Sequence, residues 1–144
     1  MVNSEHLGVF PFGQPVRRVV QQDRSHKPVF VLGVYASAVH ALWTGNNGKK
    51  KINALAVASE PCIFWRGDNP ESIINQIEIP KELGTLSPAA PNFNGPSGKA
   101  LDDYILEPLG VNRKETWLCD LVPYSCVNPS QRAAIEREYH SCMR

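Results

Sequence analysis

Phe93, Gly95, Pro96, Ser97 and Gly98 stand in one short run directly ahead of a helical apolar pattern, and residues of these types in this order could hold a nucleotide. Pro96 suits the first helical position, where its missing N–H costs nothing, with Gly95 or Asn94 as the cap. Unpaired backbone N–H groups at a helix start attract anions, phosphate above all, so Gly95, Ser97 and Gly98 are the candidate phosphate-binding residues. Phe93, just outside the helix, offers a flat ring for a base to stack on. The same residues also make an ordinary turn, with Phe93 packed on its own helix as a hydrophobic staple. Both readings stand at this point.

Asp120 is the second candidate. It is the one charge in the apolar run Thr116-Trp-Leu-Cys-Asp-Leu-Val122, which reads as a buried strand. An acid there either caps a turn at the strand's end or faces a ligand, since ligands of parallel α/β sheets gather at the carboxyl ends of strands. Ser37 and His40 form no nucleophile pair, because no acid orients the histidine. The four cysteines, at 62, 119, 126 and 142, include no Cys-x-x-Cys pair and make no zinc-like spacing with His6, His26, His40 or His140. No metal and no cofactor is expected, the cysteines are expected to be reduced, and His140 is expected on the surface.

The elements that would position these groups follow from periodicity. Residues 1–27, with Pro11, Gly13 and Pro15, read as an arm that Val16, Val19 and Val20 dock onto a domain spanning 28–144. Pro28 to Tyr35 is a continuous apolar run of buried-strand length, and Ala36 to Trp43 after it looks helical. Lys51 to Val57 predicts a second strand, behind an exposed loop carrying Lys49, Lys50 and Lys51. Asn69-Pro70-Glu71 starts a helix, and residues 80–92 read as a loop. The helix from Pro96 places Leu101, Ile105 and Leu109 on one face, and Pro108 with Gly110 ends it. Glu115 to Val122 is a third strand. Asn128-Pro-Ser-Gln131 is a capping-box start to a last helix, with Gln131, Ile135, Tyr139 and Cys142 on one stripe. Trp65, in the compact set Glu60 to Asp68, is expected to close the core rather than to form a lid. Strands alternating with helices predict an α/β fold, three-layer α/β/α with a mainly parallel central sheet. A sheet of three strands ending on a helix looks incomplete, so a chain cut short at its C-terminus is expected.

With 144 residues, 42% of them hydrophobic and 20% charged, the chain has the composition of one globular domain. It contains no apolar run of the roughly 20 residues that a membrane helix needs, and a cytoplasmic location (nuclear in a nucleated cell) is the expectation. A net charge of +1 argues against wrapping a long duplex but not against taking a single base.

Three segments together resemble the uracil-DNA glycosylase superfamily, closest to its iron–sulfur, thermophilic-type branch. They are Val31-Leu-Gly-Val-Tyr-Ala-Ser37 at the place of the family's strand-end loop, Phe93-Asn-Gly-Pro-Ser-Gly-Lys-Ala-Leu101 at its Phe-x-Gly-x-x-Gly-x-x-Leu stretch, and Val111 to Val122 at a segment ending in a strand with a base-reading Asn. The likeness covers about residues 28–140, with residues 44–90 as a longer insertion. It implies a base taken out of the stack, sitting on Phe93, read by Asp120 and lying against Gly33 and Val34. It further implies water placed from the Tyr35 loop, and an N-glycosidic bond broken through an oxocarbenium-like sugar.

The departures define what else is expected. Tyr35 occupies the water-positioning place, Ala36 replaces a proline, and the later loop bearing a histidine has no counterpart. The cluster's N-terminal cysteine pair is absent, so no iron–sulfur cluster is expected. Asp120 replaces an Asn; an ionised Asp only accepts hydrogen bonds and so favours a base offering an exocyclic amine or ring N–H donors, cytosine-, adenine- or guanine-like and not uracil. The expectation is a monomer whose partner is DNA or a nucleobase or nucleotide. It would be a glycosylase of changed preference, with Tyr35 and Asp120 as its catalytic candidates, or a binding domain that kept the fold and lost the chemistry. A plain interaction module with a purely structural Gly-Pro-Ser-Gly turn is the third alternative.

Overall fold

The computed structural model describes residues 8–125, 130 and 133–137. The chain is mixed α/β, with five strands in two sheets among the described residues. Strands β1 (Val29–Tyr35) and β5 (Thr116–Val122) form a parallel pair in which Gly33 lies beside Asp120. Strands β2 (Ala38–Thr44), β3 (Lys51–Ser59) and β4 (Thr85–Pro88) form an antiparallel sheet with β2 in the centre. Among the described residues, parallel pairing is confined to β1 and β5.

The helix expected over residues 36–43 is a correction: that segment is strand β2. Val39, Ala41 and Trp43 are buried in alternation, the period of a strand and not of a helix. The loop expected over residues 80–92 also contains β4, an edge strand whose Pro88 sits at its end, where a missing N–H is tolerated. The loop carrying Lys49 and Lys50 joins β2 to β3 through a turn closed by Gly45 and Lys50, and these lysines are exposed as expected.

Helix α1 (Pro70–Ile74) starts at the expected proline, although Asn69 reaches the cap position in a left-handed conformation (φ 51°) and its side chain makes no capping bond. From Pro96 the chain runs through α2 (Pro96–Leu101), a widened π turn (Asp102–Leu106) and α3 (Glu107–Leu109), and it stops at Gly110 in a left-handed cap. The π turn lies directly before Pro108, whose ring excludes a normal bond to the residue four earlier. It also shifts the helical phase. Leu101 and Leu106 are buried, whereas Ile105 and Leu109, expected on the same face as Leu101, are exposed.

Among the described residues, three apolar clusters hold the fold. Val39, Ala41, Trp43, Leu55 and Val57 pack with Trp65, Ile74, Leu83 and Ile135 on one side of the antiparallel sheet, so Trp65 closes the core as expected. Val19, Ala36, Ile63, Leu101, Leu106 and Leu118 fill the space between the β1–β5 pair and α2. Phe10 and Val16 pack against Ala38 and Ala56; the arm thus contributes a fully buried aromatic and is more than a surface strap. It also covers the outer edge of β5, where the Gln21 side chain donates to the Thr116 carbonyl and accepts from the Leu118 N–H. The opposite face of the pair carries Phe30, Leu32, Val34 and Leu121, between 56% and 71% exposed.

Of the expected last helix, Ser130 and residues 133–137 are helical, and Ile135 is buried. Its capping residues Asn128, Pro129 and Gln131, together with Tyr139, His140, Cys126 and Cys142, lie outside the described residues, as does His6. Cys62 and Cys119 are free thiols. No helix among the described residues is long and apolar enough to cross a membrane.

Candidate functional site

A cavity of about 220 Å³ opens at the carboxyl ends of β1 and β5, lined by Gly33, Val34, Tyr35, Ser37, Glu60, Phe64, Ser97 and Asp120. This is the place in an α/β fold where strand ends leave room for a ligand. Five of its residues are candidates from the sequence: Gly33, Val34, Tyr35, Ser97 and Asp120.

Asp120 enters from β5 on the same face as Gly33. The absence of a side chain at Gly33 makes space for it, because a methyl group built there would overlap the Asp120 Oδ1 and come within 2.9 Å of the Phe64 ring. Only 8% of Asp120 is exposed, and no hydrogen bond or ion pair reaches its carboxylate from the described residues. Burial alone raises its pKa above the usual value.

Glu60, at the end of β3, is the second carboxylate and is 5% exposed. Its Oε1 accepts a 3.0 Å bond from the Ser37 N–H. Burial pushes its pKa up to about 7 and the Asp120 charge adds to the rise, while the Ser37 and Trp65 N–H groups oppose it. A carboxyl with a raised folded-state pKa favours the folded state as pH falls. The cost of burying its charge is complete above about pH 7 and is gone below the unfolded value of 4.5. Glu60→Gln keeps the acceptor for Ser37 and is therefore expected to stabilise the protein near pH 8 by about 1–2 kcal/mol more than near pH 5, after allowance for solvent in the cavity. Urea midpoints at the two pH values measure this; equal shifts would contradict it.

Phe64 supplies an aromatic wall by an unusual route. Its backbone is left-handed (φ 50°), a strained conformation for a bulky residue. Arg113 holds it there: one guanidinium nitrogen donates to the carbonyls of both Phe64 (3.0 Å) and Gly98 (2.9 Å), while Nε donates to Asp102 at 2.5 Å. This clamp joins the loop after β3 to helix α2 and turns the Phe64 ring towards Gly33.

Other sequence candidates fall elsewhere. Phe93 sits in a short 3-10 turn (Pro91–Phe93), is 38% exposed, and is not among the lining residues. The neighbouring Asn94 is buried and exchanges two bonds with the His40 backbone, of 2.8 and 2.9 Å, which anchors this segment to β2. Gly95 (φ 72°) lies against Arg66 and Gly67, and Gly98 against the carbonyls of Phe64 and Trp65. Close backbone packing accounts for both glycines, leaving Ser97 as the member of the expected phosphate set that reaches the cavity. His40 does not line it; burial holds its imidazole below the ordinary value and hence neutral near pH 7.

Glu60 and Phe64 were not singled out as site residues by the sequence. The signal that was present is their place in the compact Glu60 to Asp68 set; their convergence depends on strand pairing and on one left-handed residue. Among the described residues no group of three or more His, Cys, Asp or Glu side chains could hold a metal ion. In comparison with known proteins, the chain matches no family model, no curated protein and no solved structure.

Proposed function

We propose that the chain is a divergent domain of the uracil-DNA glycosylase type, three-layer α/β/α in plan, that takes a nucleobase, flipped out of DNA or free, into the Gly33–Asp120 cavity. The observation that carries this reading is Asp120, a residue nine-tenths buried whose carboxylate opens on the cavity, is not paired by the described residues and is set beside a glycine at the ends of two parallel strands. An acceptor that opens only on this cavity is placed to take a hydrogen bond from a ligand there. Tyr35 and Phe64 provide flat apolar surface, and Ser37 and Ser97 add hydroxyl groups. An acceptor-only reader suits a base presenting an amine, so uracil is disfavoured.

In a catalytic form, water would attack the sugar carbon as the base departs, with Asp120 stabilising the cationic sugar or accepting the water's proton. The same pocket supports a second reading, a binding domain without hydrolysis, which the Tyr35 position favours. A phenol is a poor base at neutral pH, and Tyr35 is 57% exposed. The protein would act as a monomer on DNA or on a free base.

Incubation with single- and double-stranded oligonucleotides bearing a panel of modified bases, alongside calorimetric titration with nucleobases and nucleosides, tests both readings. Base release that falls at least 100-fold in Asp120→Ala supports the glycosylase. Binding without release, lost in the same variant, supports the binding domain. Silence in both assays overturns the proposal.

A further inference from the structure

The cavity is acidic on one side and aromatic on another. Glu60 and Asp120 are both more than nine-tenths buried, and none of the described lining residues is basic. Two carboxylates facing one small space repel each other, and whatever enters with positive charge relieves that repulsion. A hydrated metal ion fits poorly, because hard cations take six or more oxygen ligands and the walls beside the acids are Val34, Tyr35 and Phe64. A flat organic cation fits both features at once: its charge meets the carboxylates, and its faces meet the Tyr35 and Phe64 rings.

Resting on the nucleobase reading above, we propose that the preferred occupant is a positively charged base, of the class made by alkylation of a ring nitrogen, over its neutral parent. Such a base leaves its sugar without needing a proton. The C1′–N bond breaks with both electrons passing to the ring, which departs neutral. Water then adds its oxygen to C1′ and gives its proton to a carboxylate. A site whose described lining lacks a basic donor but holds two acids matches this order of events.

The test is titration calorimetry of the full chain near pH 8 with two pairs of nucleosides, 1-methyladenosine against adenosine and 3-methylcytidine against cytidine. The expected result is affinity at least tenfold higher for each methylated cation, with the difference erased in Asp120→Asn and reduced in Glu60→Gln. Melting curves matching the parent show that a variant is folded, and Glu60→Gln serves as the reporter if Asp120→Asn is not. Parents that bind as tightly as the cations overturn the charge preference and leave base binding standing. No binding of either member of both pairs removes the base-binding reading and this inference with it. A preference that survives unchanged in the folded variants also overturns the inference, since the acids would then not be its source.

Discussion

Gly98→Ala is expected to lower stability by about 3 kcal/mol, the upper end of what overpacking costs, and the melting temperature by roughly 10 °C. A β-carbon at this position falls on the carbonyl oxygens of Phe64 and Trp65 and within 2.6 Å of the Trp65 carbonyl carbon. These are backbone atoms with no rotamer to yield. The Phe64 carbonyl is further fixed by Arg113, which bonds the Gly98 carbonyl as well. Helix α2 would have to retreat from the loop, taking the left-handed Phe64 with it. Thermal melts without any nucleotide present are the decisive measurement, since a glycine kept for phosphate contact would leave them unchanged. A variant melting with the parent would refute the packing role.

Trp43→Ala is expected to cost more, about 3–5 kcal/mol for the lost burial and cavity, enough to leave the chain partly unfolded at 37 °C. The indole is 2% exposed in the centre of the antiparallel sheet, and its Nε1 donates to the Leu83 carbonyl at 2.8 Å. That bond ties β2 to the 3-10 turn (Lys81–Leu83) that leads into β4. Trp43→Phe refills much of the space but orphans the carbonyl, so a smaller loss of about 1–2 kcal/mol is expected. Denaturant curves of both variants measure the two contributions. A phenylalanine as costly as alanine would show that the hydrogen bond, and not the volume, dominates.

The sequence was most legible where one local signal decides the structure. β5 announces itself by an apolar run broken by a single charge, and α1 and α2 by a proline at the first helical position. Gly110 stops the last helical turn as its type requires. Legibility failed where long-range pairing overrides the local pattern. Ala36 to Trp43 has the small residues and spacing of a helix, yet β3 and β4 flank it on both sides and make it the central strand. The Thr85–Pro88 strand is hidden in a proline-rich stretch because its partner lies some forty residues earlier in the chain. Helical spacing placed Leu109 on the buried face, and a π turn carries it out to water.

The same division holds for the site. Asp120 was readable because ligands of parallel α/β sheets gather at strand ends, whereas Gly33 and Tyr35 entered only through the resemblance. Phe93 was placed at the centre by its neighbours in sequence, but the ring that lines the cavity is Phe64, delivered by a backbone conformation that residue type disfavours. Glu60 reads as one charge in a mixed loop until β3 brings it back beside Ser37.

The bare face of the β1–β5 pair also divides the molecule mechanically. Those strands leave six large aliphatic or aromatic side chains exposed, so they return less hydrophobic stabilisation per residue than the strands enclosing Trp43. The half that carries Gly33 and Asp120 therefore has less buried apolar surface to hold it against local opening. A ligand bound between both strand ends would therefore act as a brace as well as a cargo, adding contacts where the chain's own apolar cover is thinnest.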